Sequence, residues 1–367
     1  MRTMSGDQVE AAVAGCTAAL RPAVDRDWGA VDAGGLEWSC RETAEHVASD
    51  LLAYAGQLAG RARDAYVPFE ITLDEGTGNA GVLHVVETTG ALFAATVRTT
   101  PPGVRAFHPY PFGSADREGF AAMGVAEVLL HTHDIARGLG IPYEPSPDLA
   151  AAVLAWLFPH VRPDTEPWPT LLWATGRGEL PGRAPVTGWR WCNNLVLPAG
   201  RVTLTGIRPA VADDIRLGGT GGLDWLGGAP HEGTRQACAA LMSAYERGVL
   251  RPEFGVFALV RRDDGRAVGS VSFHGAPDEE GRVEIGYDLV EAARGQGCAT
   301  EAVRSLTEWA LARDDVDTVV AAIAADNLPS QSVASRAGFV RAAVEEERTA
   351  REAHGMADGL RLYLRRA

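Results

Sequence analysis

Apolar residues recur at every third or fourth position along much of the first half of the chain, which is the spacing of an amphipathic helix. A capping box marks one helix start, because the Ser39 hydroxyl can accept from the N–H of Glu42 and the Glu42 side chain can bond back. Long helices joined by Pro- and Gly-rich loops predict an all-α four-helix bundle, followed by one shorter helix. The predicted helices span 7–24, 43–64, 78–99, 115–140 and 146–158.

From about residue 201 the pattern changes to short β-branched runs bounded by turn residues, which is typical of strands. Strands that alternate with helices in this way predict an α+β domain with a mixed, mainly antiparallel sheet. The sequence therefore predicts a multidomain chain: a bundle over 1–160, an irregular extension or linker over 161–200, and an α+β domain over 201–367. The predicted strands lie near 201–209, 255–262, 267–275, 281–290 and 318–325, and the helices near 231–248, 298–313 and 329–337.

Length and charge narrow the possible functions. A chain of 367 residues fits two domains. The net charge of −14 argues against nucleic acid as the main partner. We expect no membrane-spanning run and no signal peptide, and so a cytoplasmic protein. The five cysteines are odd in number and lack any C-x-x-C pair, which argues against a disulfide framework and a thiolate zinc site.

A glycine-containing turn follows the predicted strand that ends near Val290. Residues 294–299 read RGQGCA and lead directly into a helix. Glycines let backbone N–H groups approach an anion, and the helix N-terminus adds its dipole, so the turn is suited to a pyrophosphate. A dinucleotide fold would need G-x-G-x-x-G early in a βαβ unit, and a P-loop would need a lysine. This α+β domain has neither feature, and the whole chain contains no lysine.

Two motifs carry a family resemblance. Arg294-x-x-Gly297-x-Ala299 and the downstream segment AADNLPSQSVASRAGF, residues 324–339, resemble the GNAT acyltransferases, in particular the ribosomal-protein N-acetyltransferase branch. The resemblance implies acetyl-CoA as the acyl donor. It also implies that backbone groups of Leu289 and Val290 and the Asn327 side chain hold the pantetheine arm. The residues implied at the pyrophosphate are Arg294, Gly295, Gly297, Ala299 and Thr300.

Acyl transfer to an amine needs a base for the amine proton and an acid for the leaving thiolate. Glu284, on the strand expected to splay beside the thioester, is the predicted base. Ser330 is the predicted acid, because the same branch of the family often has a serine there. Two plainer interpretations stay open: Glu284 as an ion-paired strand residue, and Ser330 as a helix cap.

The helix that reads GVAEVLLHTHDIARG, residues 124–138, carries polar groups that an ordinary core helix does not need. Glu127 and His131 lie one turn apart on the same face, whereas His133 lies on another face. A metal would need a third ligand, and His46 on the capped helix is the candidate. A buried Glu–His hydrogen-bonded pair without metal is the alternative.

Trp38, Ser39 and His46, together with Glu127 and His131, resemble the DinB-like metal-binding bundles, closest to the mycothiol-dependent maleylpyruvate isomerases. That resemblance implies zinc or another divalent metal held by His46, Glu127 and His131. It also implies mycothiol, the low-molecular-weight thiol of actinobacteria, as the bound thiol. Asp134 and Arg137 are expected near the metal ligands or at the helix end.

The leading hypothesis joins these two halves: an N-acetyltransferase acting on a small-molecule amine, fused to a zinc domain that activates a thiol. In one alternative, the bundle is a non-catalytic binding or dimerisation module. A dimerisation module would make the chain a homodimer. Another alternative makes a mycothiol-dependent S-transferase or isomerase the main activity. A third makes the GNAT half a CoA-binding regulator without turnover.

Overall fold

The computed structural model describes residues 4–162, 166–193, 195–354 and 357–367, with the side chains of 350, 351, 353 and 354 left aside. The chain divides into two compact units, Met1–Asn194 and Leu195–Ala367. Each unit has its own hydrophobic core, and the two are described separately below.

Four long helices form the body of the first unit. Helices α1 and α2 each pack against α3 and α4. This arrangement brings α2 and α4, which carry the three predicted metal ligands, side by side. The four helices are α1 (Gly6–Leu20), α2 (Cys40–Gly60), α3 (Asn79–Thr99) and α4 (Arg117–Leu139).

The start of α2 confirms the predicted capping box. The N–H of Glu42 donates to Ser39 Oγ at 3.2 Å, and the N–H of Ser39 donates to Glu42 Oε2 at 2.8 Å. Two orphan donors at the helix end are thereby satisfied. The cap matters for the site because His46 lies two turns further along the same helix.

Among the described residues, only α3 is long and apolar enough to cross a membrane by length and composition. The expectation of no membrane-spanning run rested on uninterrupted apolar stretches, and α3 is interrupted by Glu87 and Arg98. The helix packs against α1 and α2, and Phe93 near its middle is fully buried. A core helix of a globular unit passes the same length and hydropathy test.

The segment predicted to be an irregular linker, 161–200, contains helix α6 and, up to Asn194, belongs to the first unit. Its tryptophans explain this, because Trp168, Trp189 and Trp191 pack against the core of the bundle. The remaining elements of the unit are α5 (Pro147–Leu157), α6 (Pro167–Ala174) and an antiparallel pair, β1 (Arg105–Phe107) with β2 (Ser114–Asp116).

One eight-stranded sheet organises the second unit, in the order β3-β4-β5-β6-β7-β8-β10-β9. Among the described strands of this sheet, β7 and β8 are the one parallel pair, so the predicted mixed and mainly antiparallel sheet is confirmed. Every residue of β6 is buried, as expected for a central strand covered on both faces. The strands are β3 (Val196–Ala199), β4 (Val202–Gly206), β5 (Val256–Arg261), β6 (Ala267–Phe273), β7 (Arg282–Leu289), β8 (Thr318–Ala324), β9 (Val340–Arg341) and β10 (Leu360–Arg366).

The predicted helices of this unit are confirmed, whereas five further elements were not predicted: α7, α11, β3, β9 and β10. Helix α8 packs on β5, β6 and β7, and α9 packs on β7 and β8 among other strands. These two helices border the cavities described below. The helices are α7 (Pro209–Arg216), α8 (Glu232–Glu246), α9 (Cys298–Leu311), α10 (Leu328–Arg336) and α11 (Val344–His354).

Candidate functional site

The parallel strands β7 and β8 diverge part of the way along their length. Their register pairs run from Arg282 with Thr318 to Glu284 with Val320. Strand β7 continues to Leu289 and stays paired with β6 over this stretch. A wedge therefore opens between the two parallel strands beyond Glu284, and it exposes backbone groups along one side of β7.

The glycine turn lies at the end of this wedge. Gly295 and Gly297 adopt the left-handed conformation, with φ of 75° and 83°, which only glycine enters without strain. Gly297 is the N-cap of α9, and Cys298 is the first residue of the helix. The free N–H groups of the first turn of α9 and the helix dipole favour a negatively charged group at this position.

A cavity of about 380 Å³ occupies the wedge and the turn. Seven of the eight predicted cofactor-binding residues line it, together with the predicted acid Ser330. Residues that are distant in the sequence thus meet in one cleft. The predicted residues along its walls are Leu289, Arg294, Gly295, Gly297, Ala299, Thr300, Asn327 and Ser330.

Val290 is the exception among the predicted cofactor-binding residues. Its side chain is buried, its N–H donates to the carbonyl of Val268 at 3.0 Å, and its carbonyl accepts from the N–H of Ala293 at 3.0 Å. The prediction had assigned its backbone to a bound pantetheine. Its only backbone donor is instead used within the protein.

Asn327, rather than Ser330, caps helix α10. The N–H of Ser330 donates to Asn327 Oδ1 at 3.1 Å. The alternative in which the Ser330 hydroxyl serves as the helix cap is therefore wrong. Nothing in this local geometry keeps the hydroxyl from facing the cleft that Ser330 lines.

Tyr287 is a cleft residue that the sequence prediction missed. Its hydroxyl is buried and has no hydrogen-bond partner among the described residues. Burial raises the pKa of Tyr287, and the nearby Ser330 side chain only partly opposes that effect. The signal in the sequence was its place in the run GYDL, three residues beyond the predicted base.

Glu284 lies at the last register pair, but it lines neither this cleft nor the second cavity of the unit. Its side chain is 43% exposed, and Oε1 lies 3.2 Å from Nδ1 of His274. The hydrogen bond to Glu284 raises the pKa of His274 above its ordinary value, against the effect of burial. His274 lines the second cavity, whereas Glu284 contacts His274 without lining the cavity itself.

In the first unit, His46, Glu127 and His131 converge. One ligand atom from each lies within 4.8 Å of the others. Nε2 of His131 is 3.1 Å from Glu127 Oε2, and Nε2 of His46 is 4.0 Å from the same oxygen. Two imidazoles and one carboxylate are a donor set that zinc accepts, so the residues present fit a divalent metal.

A network behind His131 holds its ring in place. Nδ1 of His131 lies 3.1 Å from Asp134 Oδ2, and Arg177 donates to the same carboxylate at 2.9 Å. Burial lowers the pKa of His131, but hydrogen bonds to Asp134 and Glu127 outweigh it and raise that pKa to about 9. Arg177 comes from the segment predicted to be a linker, and the sequence analysis did not identify it.

Asp50 is a second residue that the sequence analysis missed at this site. Its Oδ2 lies 3.3 Å from Nε2 of His46. Burial, with the negative charge of Glu127, raises the pKa of Asp50 to about 7. The spacing from His46 to Asp50 is the same four residues that separate Glu127 from His131, and it was the available signal.

The other polar residues of these helices lie elsewhere, as their helical positions predict. The ring of His133 contacts Trp168, with centroids 5.6 Å apart. Cys40 is buried, with Sγ 3.8 Å from the carbonyl of Ile135. The stem of Arg137 packs so close to Gly34 that a Cβ there would lie 2.6 Å from it.

The second unit of this chain is similar to a known protein family. Residues 201–340 match the family model described as "Acetyltransferase (GNAT) domain". The predicted C-terminal GNAT acetyltransferase domain is thereby confirmed, over well under half of the chain. The family match does not extend to the first unit.

Two curated relatives are N-acetyltransferases that are themselves named as uncharacterised. One, YjdG of Bacillus subtilis, is 37% identical over 87 residues, which are 24% of this chain and 52% of that protein. The other, from Bacillus licheniformis, is 29% identical over 83 residues, or 23% of this chain and 47% of that protein. The chain thus spans about half the length of the curated relatives it matches.

Among solved structures, a GNAT-family acetyltransferase from Bacillus anthracis is similar to 47% of this chain. The match covers 98% of that protein, with 16% sequence identity and a TM-score of 0.32.

Proposed function

We propose that this chain is an N-acetyltransferase that moves the acetyl group of acetyl-CoA to the amine of a small molecule. The wedge between β7 and β8, closed at one end by the glycine turn, is the observation that carries the proposal. Pantetheine has amide groups that can pair with the exposed backbone of β7. A pyrophosphate suits the N-terminus of α9.

Each residue of the cleft has a part in this proposal. Arg294 and Thr300, with the backbone of the glycine turn, bind the pyrophosphate. The backbone of Leu289 and the Asn327 side chain bind the pantetheine arm. Val290 is no longer in this set, because its N–H is used by Val268.

In the reaction, the amine nitrogen attacks the thioester carbonyl carbon, a C–N bond forms and the C–S bond breaks. His274 is suited to take the amine proton, with Glu284 orienting its ring and favouring the protonated form. In this assignment His274 is the base, and Glu284, which the sequence predicted as the base, is a positioning residue. Ser330 and the buried hydroxyl of Tyr287 are the candidate acids for the departing thiolate.

Thiol release from acetyl-CoA in the presence of a panel of primary amines tests the proposal on the full chain. We expect amine-dependent release of CoA and an N-acetyl product of matching mass. Binding of acetyl-CoA without release in the presence of any amine would favour the regulator hypothesis. The absence of both binding and release would refute the proposal.

A second function is proposed for the first unit because its three ligand atoms lie within 4.8 Å of one another. We propose that His46, Glu127 and His131 hold zinc or another divalent metal, as in the DinB-like domains that this unit resembles in sequence. Such a metal lowers the pKa of a bound thiol or water toward neutrality. Mycothiol is the proposed thiol.

Metal analysis of the purified chain tests this second proposal. We expect about one zinc per chain in the wild type and less than one tenth of that in His46→Ala and Glu127→Ala. A metal-free protein whose variants keep full acetyl transfer would instead support the bundle as a non-catalytic binding module. Both activities are compatible with the cytoplasm, where we place the protein.

A further inference from the structure

The second unit contains another cavity, of about 420 Å³, bordered by α8, β6 and β7. Tyr287 and Asp288 line both this cavity and the proposed CoA cleft. The two spaces therefore meet at one place on β7. A molecule in the second cavity would therefore border the same residues of β7 that line the wedge.

The walls of this cavity are mostly apolar, and two of its basic side chains already have carboxylate partners. Arg251 is occupied, since its guanidinium contacts Glu253 at 3.0 Å and Asp315 at 2.9 Å. His274 is paired with Glu284. The apolar walls include Ala237, Leu241, Leu250, Phe254 and Val256.

Asp288 is the carboxylate at the junction, and three features hold it in place. His231 Nδ1 lies 2.8 Å from its Oδ2, and the N–H of Thr234 donates to the same oxygen at 3.1 Å. A Cβ on Gly233 would lie 2.7 Å from the Asp288 Cγ, so glycine permits this close approach. A carboxylate has about four acceptor positions, and these two donors leave capacity for another.

We propose that this cavity binds the acceptor as a primary amine on an apolar aliphatic or aromatic body, with its ammonium group on Asp288. The inference rests on the proposed acetyltransferase function and names its substrate class. A cationic nitrogen satisfies the remaining acceptor capacity of the carboxylate, and the apolar body covers Leu241, Leu250 and Phe254. A hydrophilic acceptor would leave polar groups unpaired against those walls, which costs free energy.

This arrangement assigns Asp288 a role in specificity. It holds the ammonium nitrogen at the boundary of the CoA cleft, where loss of one proton to His274, which lines the same cavity, makes the nitrogen a nucleophile. The proton that the nitrogen loses after attack goes, through Ser330 or Tyr287, to the departing thiolate. The same carboxylate disfavours acceptors with a negative charge near the amine, such as free amino acids. Decarboxylated, apolar amines are therefore preferred over their amino-acid counterparts.

The test compares acceptors that share the ammonium group but differ in the body: 2-phenylethylamine, ethanolamine, phenylalanine and a short peptide with an N-terminal serine. With saturating acetyl-CoA and the full chain, we expect kcat/KM for 2-phenylethylamine to exceed that for each of the others at least tenfold. Asp288→Asn should raise the KM for 2-phenylethylamine about tenfold or more, a much larger factor than any change in the dissociation constant of acetyl-CoA, and an unchanged KM would overturn the inference. Asp263→Asn, at an exposed aspartate outside both cavities, should match the wild type.

A measurement on the wild type covers the case in which Asp288→Asn does not fold. In calorimetry with CoA present, 2-phenylethylamine should bind at least tenfold more tightly than 2-phenylethanol, which lacks the charge. Equal or faster acetylation of ethanolamine, phenylalanine or the peptide would overturn the inference and leave the proposed function standing. No binding of acetyl-CoA and no transfer to any amine would refute the proposed function itself.

Discussion

Glu284 and Val320 form the last register pair between the parallel strands β7 and β8, and beyond this pair the strands separate. The separation creates the wedge on which the account of the second unit depends. Strand β7 remains paired with β6 as far as Leu289, so its other side has backbone groups available to a ligand. A continuous parallel ladder would leave no room for the pantetheine arm.

Replacing Arg294 with alanine should weaken acetyl-CoA binding. The side chain lines the CoA cleft beside the glycine turn, and a hydrogen bond to a charged group contributes about 1.5–3 kcal/mol. We expect the KM for acetyl-CoA to rise roughly tenfold to a hundredfold, with a smaller change in kcat. Steady-state kinetics measure this, and Arg247→Ala, at an exposed arginine after α8, is the matched control. An equal loss in both variants would contradict the assignment.

Substitutions of Ser330 and Asn327 should differ in their effects on kcat and on the free energy of unfolding. Because Asn327 is the cap of α10, Asn327→Ala should lower the free energy of unfolding by about 1 kcal/mol and also weaken acetyl-CoA binding. Ser330→Ala should leave the free energy of unfolding nearly unchanged and lower kcat. Denaturant unfolding and kinetics on the same samples check both effects. If the Ser330→Ala variant keeps full kcat, Ser330 is not the acid, and Tyr287 is the remaining candidate.

The pH profile should report on His274. A base must be neutral to accept the amine proton, so kcat should rise with pH through the pKa of His274. Glu284 raises that pKa, so the rise should occur above the ordinary histidine value. Glu284→Gln removes the charge, and the acidic limb of the profile should move to lower pH. An unmoved limb in Glu284→Gln would argue against the pairing, and His274→Ala with full kcat would exclude the base.

Zinc affinity should increase with pH. Hydrogen bonds to Asp134 and Glu127 raise the pKa of metal-free His131 to about 9, so zinc must displace a proton at neutral pH. We expect the affinity to rise by about tenfold or more from pH 6 to pH 8. His131→Ala should abolish binding, whereas His84→Ala, at a largely exposed histidine, should not. Competition with a chromophoric chelator measures this, and a pH-independent affinity would contradict the assignment of His131.

Removing the Arg177 side chain should lower the stability of the first unit more than removing an exposed arginine would. Asp134 is 1% exposed, and Arg177→Met would remove the guanidinium that shares this buried carboxylate with His131. Breaking such a pair costs about 3–5 kcal/mol. The double variant Arg177→Met with Asp134→Asn should recover part of that loss. Thermal unfolding of the single and double variants checks the coupling, and independent effects would contradict it.

The long helices and the glycine turn could be predicted because their signals are local. Apolar periodicity, the Ser39–Glu42 box and the run RGQGCA each lie within a few turns of chain. The cleft residues were predicted from family motifs, and the structure brings seven of the eight into one cavity. Val290 does not line that cavity, and its hydrogen bond to Val268 depends on the sheet register, which periodicity does not specify.

The partners of the predicted residues could not be read from the sequence. Arg177 reaches Asp134 from 43 residues away, and His274, just after the end of β6, pairs with Glu284 on the adjacent strand β7. Such pairs depend on tertiary packing. Helix α11 was missed for a different reason: it is highly charged and has few apolar residues to indicate a buried face.

The most direct test of the central claim is calorimetric titration of acetyl-CoA and CoA into the full chain and into Arg294→Ala. The account predicts one site per chain in the wild type, with a dissociation constant in the micromolar range, and binding at least about tenfold weaker in the variant. No detectable heat at millimolar acetyl-CoA, or equal affinity in both proteins, would contradict it.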